Sequence, residues 1–189
     1  MQLIDKQARY GWVSIALHWL IALMTLALFF SGLWMVDLGY YDAWYNRAPW
    51  WHKSVGVVLL ALVLIRWLWK LVSPTPLAID TIEQWQQKAA HLAHFLMNML
   101  IVVICIAGYL IVTAKGQALP VFDWLTIPAI SLNIANLENL AGELHYLLAY
   151  LLMFIVCLHL AAALIHHFVA KDDTLKRILG LEKSPLTKE

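Results

Sequence analysis

The stretch ELHYLLAYLLMFIVCLHLAAALIHH, Glu143 to His167, decides the fold. It holds four histidines in a run that is otherwise almost wholly apolar or aromatic. At about 1.5 Å rise per residue, a helix of this length crosses the roughly 30 Å of a bilayer's hydrocarbon core. Backbone polar groups in lipid must pair within their own segment, so the stretch is a helix and not a strand. An ionisable side chain deep in such a span is expensive and functional by default. The question is what keeps the imidazoles there.

The rest of the chain agrees with a membrane setting. Of its 189 residues, 62% are hydrophobic and 13% charged. A soluble domain has about 45–50% and about 25%. The net charge of +1 gives no electrostatic support for nucleic-acid binding. The two cysteines, Cys105 and Cys157, lie in apolar runs, read as packing residues, and form no CxxCH motif, which excludes covalent c-type haem attachment.

Four spans are expected, over residues 14–36, 52–72, 91–113 and 142–170, with SPTP (73–76) breaking the chain after the second. The first is too long for a cleaved signal segment, and the bulky GLWMV that follows suits a retained anchor. The expected fold is all-α: an integral membrane four-helix bundle forming one domain over 1–189. Lysine and arginine distribution orients it. Ten of these residues fall on the side of the two termini and the second loop (Lys6, Arg9, Arg66, Lys70, Lys88, Lys171, Lys176, Arg177, Lys183, Lys188). Three fall on the other side: Arg47, Lys53 and Lys115. Both termini are therefore expected in the cytoplasm, and YYDAWYNRAPWW in the first loop reads as an aromatic belt at the outer surface.

Depth then sorts the histidines. His145 and His159 are fourteen residues apart, about 21 Å along one helix and about 40° apart in azimuth. His52 opens span two at the outer depth of His145, and His18 lies at the inner depth of His159. The expectation is two pairs, His52 with His145 outside and His18 with His159 inside. A pair of neutral imidazoles across a bundle suits a flat metal macrocycle, and haem b iron takes two such axial ligands. Gly32 and Gly56 lie on the faces of His18 and His52, where small residues admit a porphyrin edge or simply let helices pack. Arg66, at the inner depth, is positioned for a propionate or a quinone oxygen, or is a snorkelling inside charge.

With these pieces the sequence resembles the bacterial di-haem cytochrome b561 family, in its superoxide-oxidase-like branch. The resemblance is carried by SIALHWLIAL around His18, WHKSVGVVLLALVLIRWLWK from Trp51, AAHLAHFLMNML from Ala89, and the tail AAALIHHFVAKDDTLKR together with the histidine spacing. It implies a transmembrane cytochrome b with two non-covalent b haems on His18, His52, His145 and His159, in a bacterial inner membrane. It implies electrons passing from a periplasmic-side donor, superoxide by analogy, to ubiquinone. Arg47, Lys53 and Lys115 form a rim that would steer an anion or be ordinary surface charge. His94 and His166 are candidate proton relays or snorkelling side chains, as are His91 and His167. Lys171, Asp172, Asp173 and Lys176 read as a solvated helix extension, with a hint from the family of a role near the quinone. The alternative is an electron-transfer subunit docking a periplasmic redox protein or dehydrogenase under its long aromatic loops. A non-redox transporter or scaffold would be colourless.

Overall fold

The computed structural model describes residues 3–6, 9–74, 76–77, 79, 82–130, 132 and 134–181; Lys183 and Lys188 lie outside the described residues. Among the described residues, four helices are long and apolar enough to cross a membrane. They are α1 (Trp12–Val36), α2 (Arg47–Val72), α3 (Gln84–Thr113) and α4 (Leu137–Ile165), the last continued by a π-turn, His166–Ala170, and a short α5 (Thr174–Ile178). Large apolar side chains such as Leu23, Phe30 and Phe154 face outward, as lipid contact requires.

Local chemistry sets the helix ends. α2 carries Pro49 in its first turn, where the missing N–H costs nothing, and stops at Ser73, just before Pro74. α3 begins at a capping box in which Glu83 and Gln86 exchange side-chain and backbone bonds. It starts seven residues before the expected His91, so His94 lies inside the helix rather than at its mouth. α4 likewise starts at Leu137, before the expected 142.

Between α3 and α4 lies a small antiparallel hairpin, β1 (Leu119–Val121) and β2 (Leu125–Ile127), which the apolar periodicity gave no sign of. Its turn runs through Phe122 and Asp123, both left-handed at φ 47° and 60°. A phenylalanine there is held by its surroundings. Its N–H donates to Ser54 Oγ (3.1 Å), and its ring packs edge-on against Trp50 and Trp51. The hairpin is thereby pinned to the start of α2, two residues from His52. We call this the hairpin end of the bundle and the other the terminus end.

The helices associate as two pairs, α1 on α2 and α3 on α4. α2 touches α3 more lightly, and α1 meets α4 only sparsely. The central core is Ile21, Leu59, Val63, Ile101 and Leu152. On α4 Leu152 falls midway between His145 and His159, and on α2 Leu59 and Val63 fall between His52 and Arg66, so a packed apolar floor separates two polar layers. Lipid tails are as apolar as leucine, so close packing rather than water exclusion holds this floor together.

Candidate functional site

At the hairpin end, His52 on α2 faces His145 on α4 with ring centres 6.2 Å apart and planes at 64°. Each ring is held through the same nitrogen. Nδ1 of His145 is 2.9 Å from the Ile104 carbonyl oxygen. A carbonyl only accepts, so Nδ1 carries the proton. Nδ1 of His52 is 3.1 Å from Ser31 Oγ. The Ser31 hydroxyl donates to the Leu28 carbonyl (3.0 Å), which leaves its lone pairs for the His52 N–H. Both histidines therefore keep Nε2 unprotonated, the state a metal-binding imidazole needs.

Two glycines set the rings in place. A Cβ at Gly108 would lie 3.1 Å from His145 Cε1 and 3.2 Å from its Nδ1, and one at Gly32 would lie 3.3 Å from His52 Cε1. Both are tighter than ordinary contact. Gly32 thus serves the His52 layer rather than the His18 layer on whose face the sequence puts it. Gly56 borders open space, with nothing within 4 Å of an added Cβ. Cys105 donates weakly to the Gly56 carbonyl (3.6 Å), while Cys157 is exposed toward lipid.

Of the expected cationic rim, Lys115 is paired with Glu138 at 2.6 Å. Arg47 is exposed in a depression lined by Trp44, Trp50 and Trp51.

At the terminus end, four half-buried polar side chains gather, one from each helix: His18, Arg66, His94 and His159. Arg66 Nη2 donates to His18 Nδ1 at 3.5 Å, the outer limit of a hydrogen bond. His94 packs against His159 with ring centres 4.7 Å apart, and His159 is within electrostatic reach of His18. Above them the chain start is tied down. Asp5 accepts hydrogen bonds from Gly11 N–H and Ser14 Oγ–H, and Trp69 Nε1–H donates to Ser14 Oγ (2.9 Å). Tyr10 sits in this cap, its hydroxyl held above its usual range by burial, with Arg177 and Arg66 opposing and Asp5 adding to the rise.

Beyond His159 the π-turn carries His166 and His167. His166 Nδ1 meets Asp172 Oδ2 at 2.5 Å. The Asp172 side chain is 6% exposed, so its carboxylate is not part of a solvated extension as the sequence suggests. Lys176 and Asp173 do form an exposed pair, at 2.7 Å. His91 is exposed.

Could this arrangement hold haem? Among the described residues no group of three or more His, Cys, Asp or Glu gathers to bind a bare ion. Two opposed imidazoles suit a macrocycle that brings its own equatorial nitrogens. With metal–imidazole bonds of about 2 Å and ring centres about 1 Å behind the nitrogen, two rings across one metal have centres about 6 Å apart. The hairpin-end pair matches that spacing. The residues present fit the group.

The comparisons with known proteins give the family. A model of the prokaryotic cytochrome b561 family matches residues 9–181. The chain belongs to the prokaryotic cytochrome b561 family. Among curated cytochromes b561 it is 41% identical to "Cytochrome b561 homolog 2" of Escherichia coli (strain K12), over 97% of this chain and 98% of that protein. It is 30% identical to "Probable superoxide oxidase CybB" of Yersinia pestis, over 90% and 96%. It is 25% identical to "Cytochrome b561 homolog 1" of Escherichia coli (strain K12), over 93% and 99%. As a prokaryotic cytochrome b561 with four membrane-crossing helices, it is a multi-pass bacterial inner-membrane haem protein carrying b-type haem.

Sequence reasoning missed several residues of the site. Gly108, Ser31 and the Ile104 carbonyl carry no pattern of their own and act only through neighbours on other helices. Asp172 was hidden by the charges around it. The polar start of α3, QWQQK, reads as loop, which is why the expected span opens only at His91.

Proposed function

We propose that this cytochrome b561 binds two b haems and moves electrons from superoxide at the periplasmic, hairpin end to ubiquinone at the cytoplasmic, terminus end. In balance, two superoxide anions each lose one electron to give two dioxygen molecules. One ubiquinone gains two electrons and two protons to give ubiquinol. The observation that carries the proposal is the His52–His145 pair, 6.2 Å apart with both Nδ1 atoms held. The name of the Yersinia relative supports the donor, and the lysine and arginine count supports the orientation.

His52 and His145 would hold the outer haem and His18 and His159 the inner one. Bound haem supplies a one-electron carrier in each layer. The chain supplies everything else. Ser31 and the Ile104 carbonyl fix the ring tautomers at the outer pair, and Gly32 and Gly108 allow the rings to stand where they do. In the inner layer His18 presents Nε2 only when Nδ1 carries a proton. Arg66 must then turn from His18, which frees its guanidinium for a propionate or a quinone oxygen. The open space beside Gly56 accommodates a ring edge. Lys53 and Arg47 remain as the steering charges for an anion, with Lys115 partly neutralised by Glu138. His94 and His166 serve the two protons that ubiquinone takes up.

A second reading is favoured by one observation. Tyr41 and Trp124 are 98% and 88% exposed at the hairpin end, which suits a docked periplasmic redox protein that delivers the electrons instead. The purified protein decides. A reduced-minus-oxidised spectrum with two haem equivalents, followed by haem reduction on a superoxide pulse and oxidation on adding ubiquinone-1, is expected. A protein that binds two haems but is not reduced by superoxide belongs to the second reading; a colourless one refutes both.

A further inference from the structure

We infer that Asp172 is a positioning residue for proton delivery to the quinone: folded back by the π-turn, it fixes His166 so that this imidazole passes protons from cytoplasmic water to the quinone oxygens. The inference rests on the quinone-reducing reading above and deepens it.

The geometry is specific. α4 runs regularly to Ile165 and then widens into the five-residue π-turn, a feature that recurs at functional sites. Lys171 follows in the left-handed conformation at φ 57°. The Asp172 N–H then donates back to the His166 carbonyl at 3.2 Å. This reversal brings the Asp172 carboxylate onto His166 Nδ1. One carboxylate oxygen takes the imidazole and the other accepts the Thr174 N–H at 2.9 Å. With both oxygens engaged the carboxylate has no freedom to turn. Nδ1 stays protonated, and Nε2 is left as the working nitrogen. A solvated tail would not bury a carboxylate to 6% exposure, and its neighbour Asp173 is 51% exposed.

The placement suits the task. His166 is seven residues past His159, two turns further on the same face and about 10 Å nearer the cytoplasm. It is 20% exposed, open enough to exchange protons with water. Other ionisable groups lie on the same elements. α4 contributes His159. α5 contributes Lys176, paired with Asp173, and Arg177, which donates to the Leu77 carbonyl at 2.7 Å. The turn itself adds Lys171 and His167, whose ring packs on Phe168. The Asp172 carboxylate, 2.5 Å from the ring, is the direct charge partner of His166. Asp172 is held below the usual carboxylate range: burial opposes this, and hydrogen bonds from Thr174 and His166 outweigh it. It stays ionised while His166 cycles.

The step balances. A reduced quinone oxygen forms an O–H bond with a proton that leaves His166 Nε2, and Nε2 is reprotonated from water. Two such transfers accompany the two electrons. Asp172 neither gains nor loses a proton, and it stabilises the imidazolium that forms between transfers.

The test uses the haem-loaded full chain, chemically reduced and mixed with ubiquinone-1 while haem oxidation is followed. Asp172→Asn is expected to cut the maximal rate roughly tenfold or more while the ubiquinone KM holds. Asp172→Glu should recover part of the rate, His166→Gln should lose at least as much as Asp172→Asn, and Asp173→Asn should leave the rate unchanged. A visible spectrum with full haem content confirms that each variant is folded. A folded Asp172→Asn protein with the parent rate overturns the inference. A parent protein that ubiquinone-1 does not oxidise at all overturns the quinone reading instead.

Discussion

Gly108→Ala tests the outer site most directly, because its effect can be worked out from one distance. The new methyl would stand 3.1 Å from His145 Cε1 and 3.2 Å from Nδ1, where ordinary contact begins at 3.4 Å. Either the ring or the helix must give by a few tenths of an ångström. The ring has little freedom, because Nδ1 is tied to the Ile104 carbonyl at 2.9 Å. The helix has little either, because α3 and α4 are the most closely packed pair in the bundle. Overpacking of this kind costs about 1–3 kcal/mol. Levied on the ligand's position, that weakens outer haem binding by roughly 5- to 150-fold. The assay is haem titration into protein produced with limiting porphyrin, with stoichiometry read from the reduced spectrum. One haem should bind as in the parent and one distinctly more weakly. Gly142→Ala, where an added Cβ meets nothing within 4 Å, is the silent control. A Gly108→Ala protein that holds two haems with parent affinity would show that His145 is not pressed into a ligand's place.

Ser31→Ala removes the acceptor for His52 Nδ1–H and should weaken the outer haem by about tenfold or more, leaving the inner one intact in the same titration. Replacing His159 by Ala should remove the inner haem and spare the outer; two full equivalents would break the inner pairing. His94→Ala should alter the inner haem's spectrum as well as slow ubiquinone reduction, because its ring packs on His159; a changed rate with an unchanged spectrum would make it a proton relay alone. Acidification gives a further check. The carboxyl of Asp172 is depressed in the folded protein, so the stability it adds is complete above the ordinary carboxylate range and drains away as pH falls through the depressed value. Far-ultraviolet melting of Asp172→Asn should therefore match the parent in strong acid and fall below it near neutrality.

The bundle and its polar layers were legible because both rest on one-dimensional signals. Apolar run length gives the spans, and a fourteen-residue offset puts two histidines on one stripe whatever the surroundings. Such signals set His52 at the depth of His145, which the structure brings face to face, and His18 at the depth of His159, whose ring packs on His94. Contacts that close between elements left no such trace. Gly108 matters only because His145 lies across from it, and Ser31 only because its hydroxyl is already spent on Leu28. The β-hairpin is held by Ser54 and by two tryptophans of α2, and its own residues have no strand pattern. Asp172 was read as solvent-facing because its neighbours are charged, while the π-turn that buries it is invisible to helical periodicity.

The loose seam between the two helix pairs bears on how the protein is made. In each pair the two helices that pack most closely are also consecutive in the chain, so each half can pair as it is made. His52 and His145 come one from each half, so on the proposed ligation cofactor capture waits for the halves to meet.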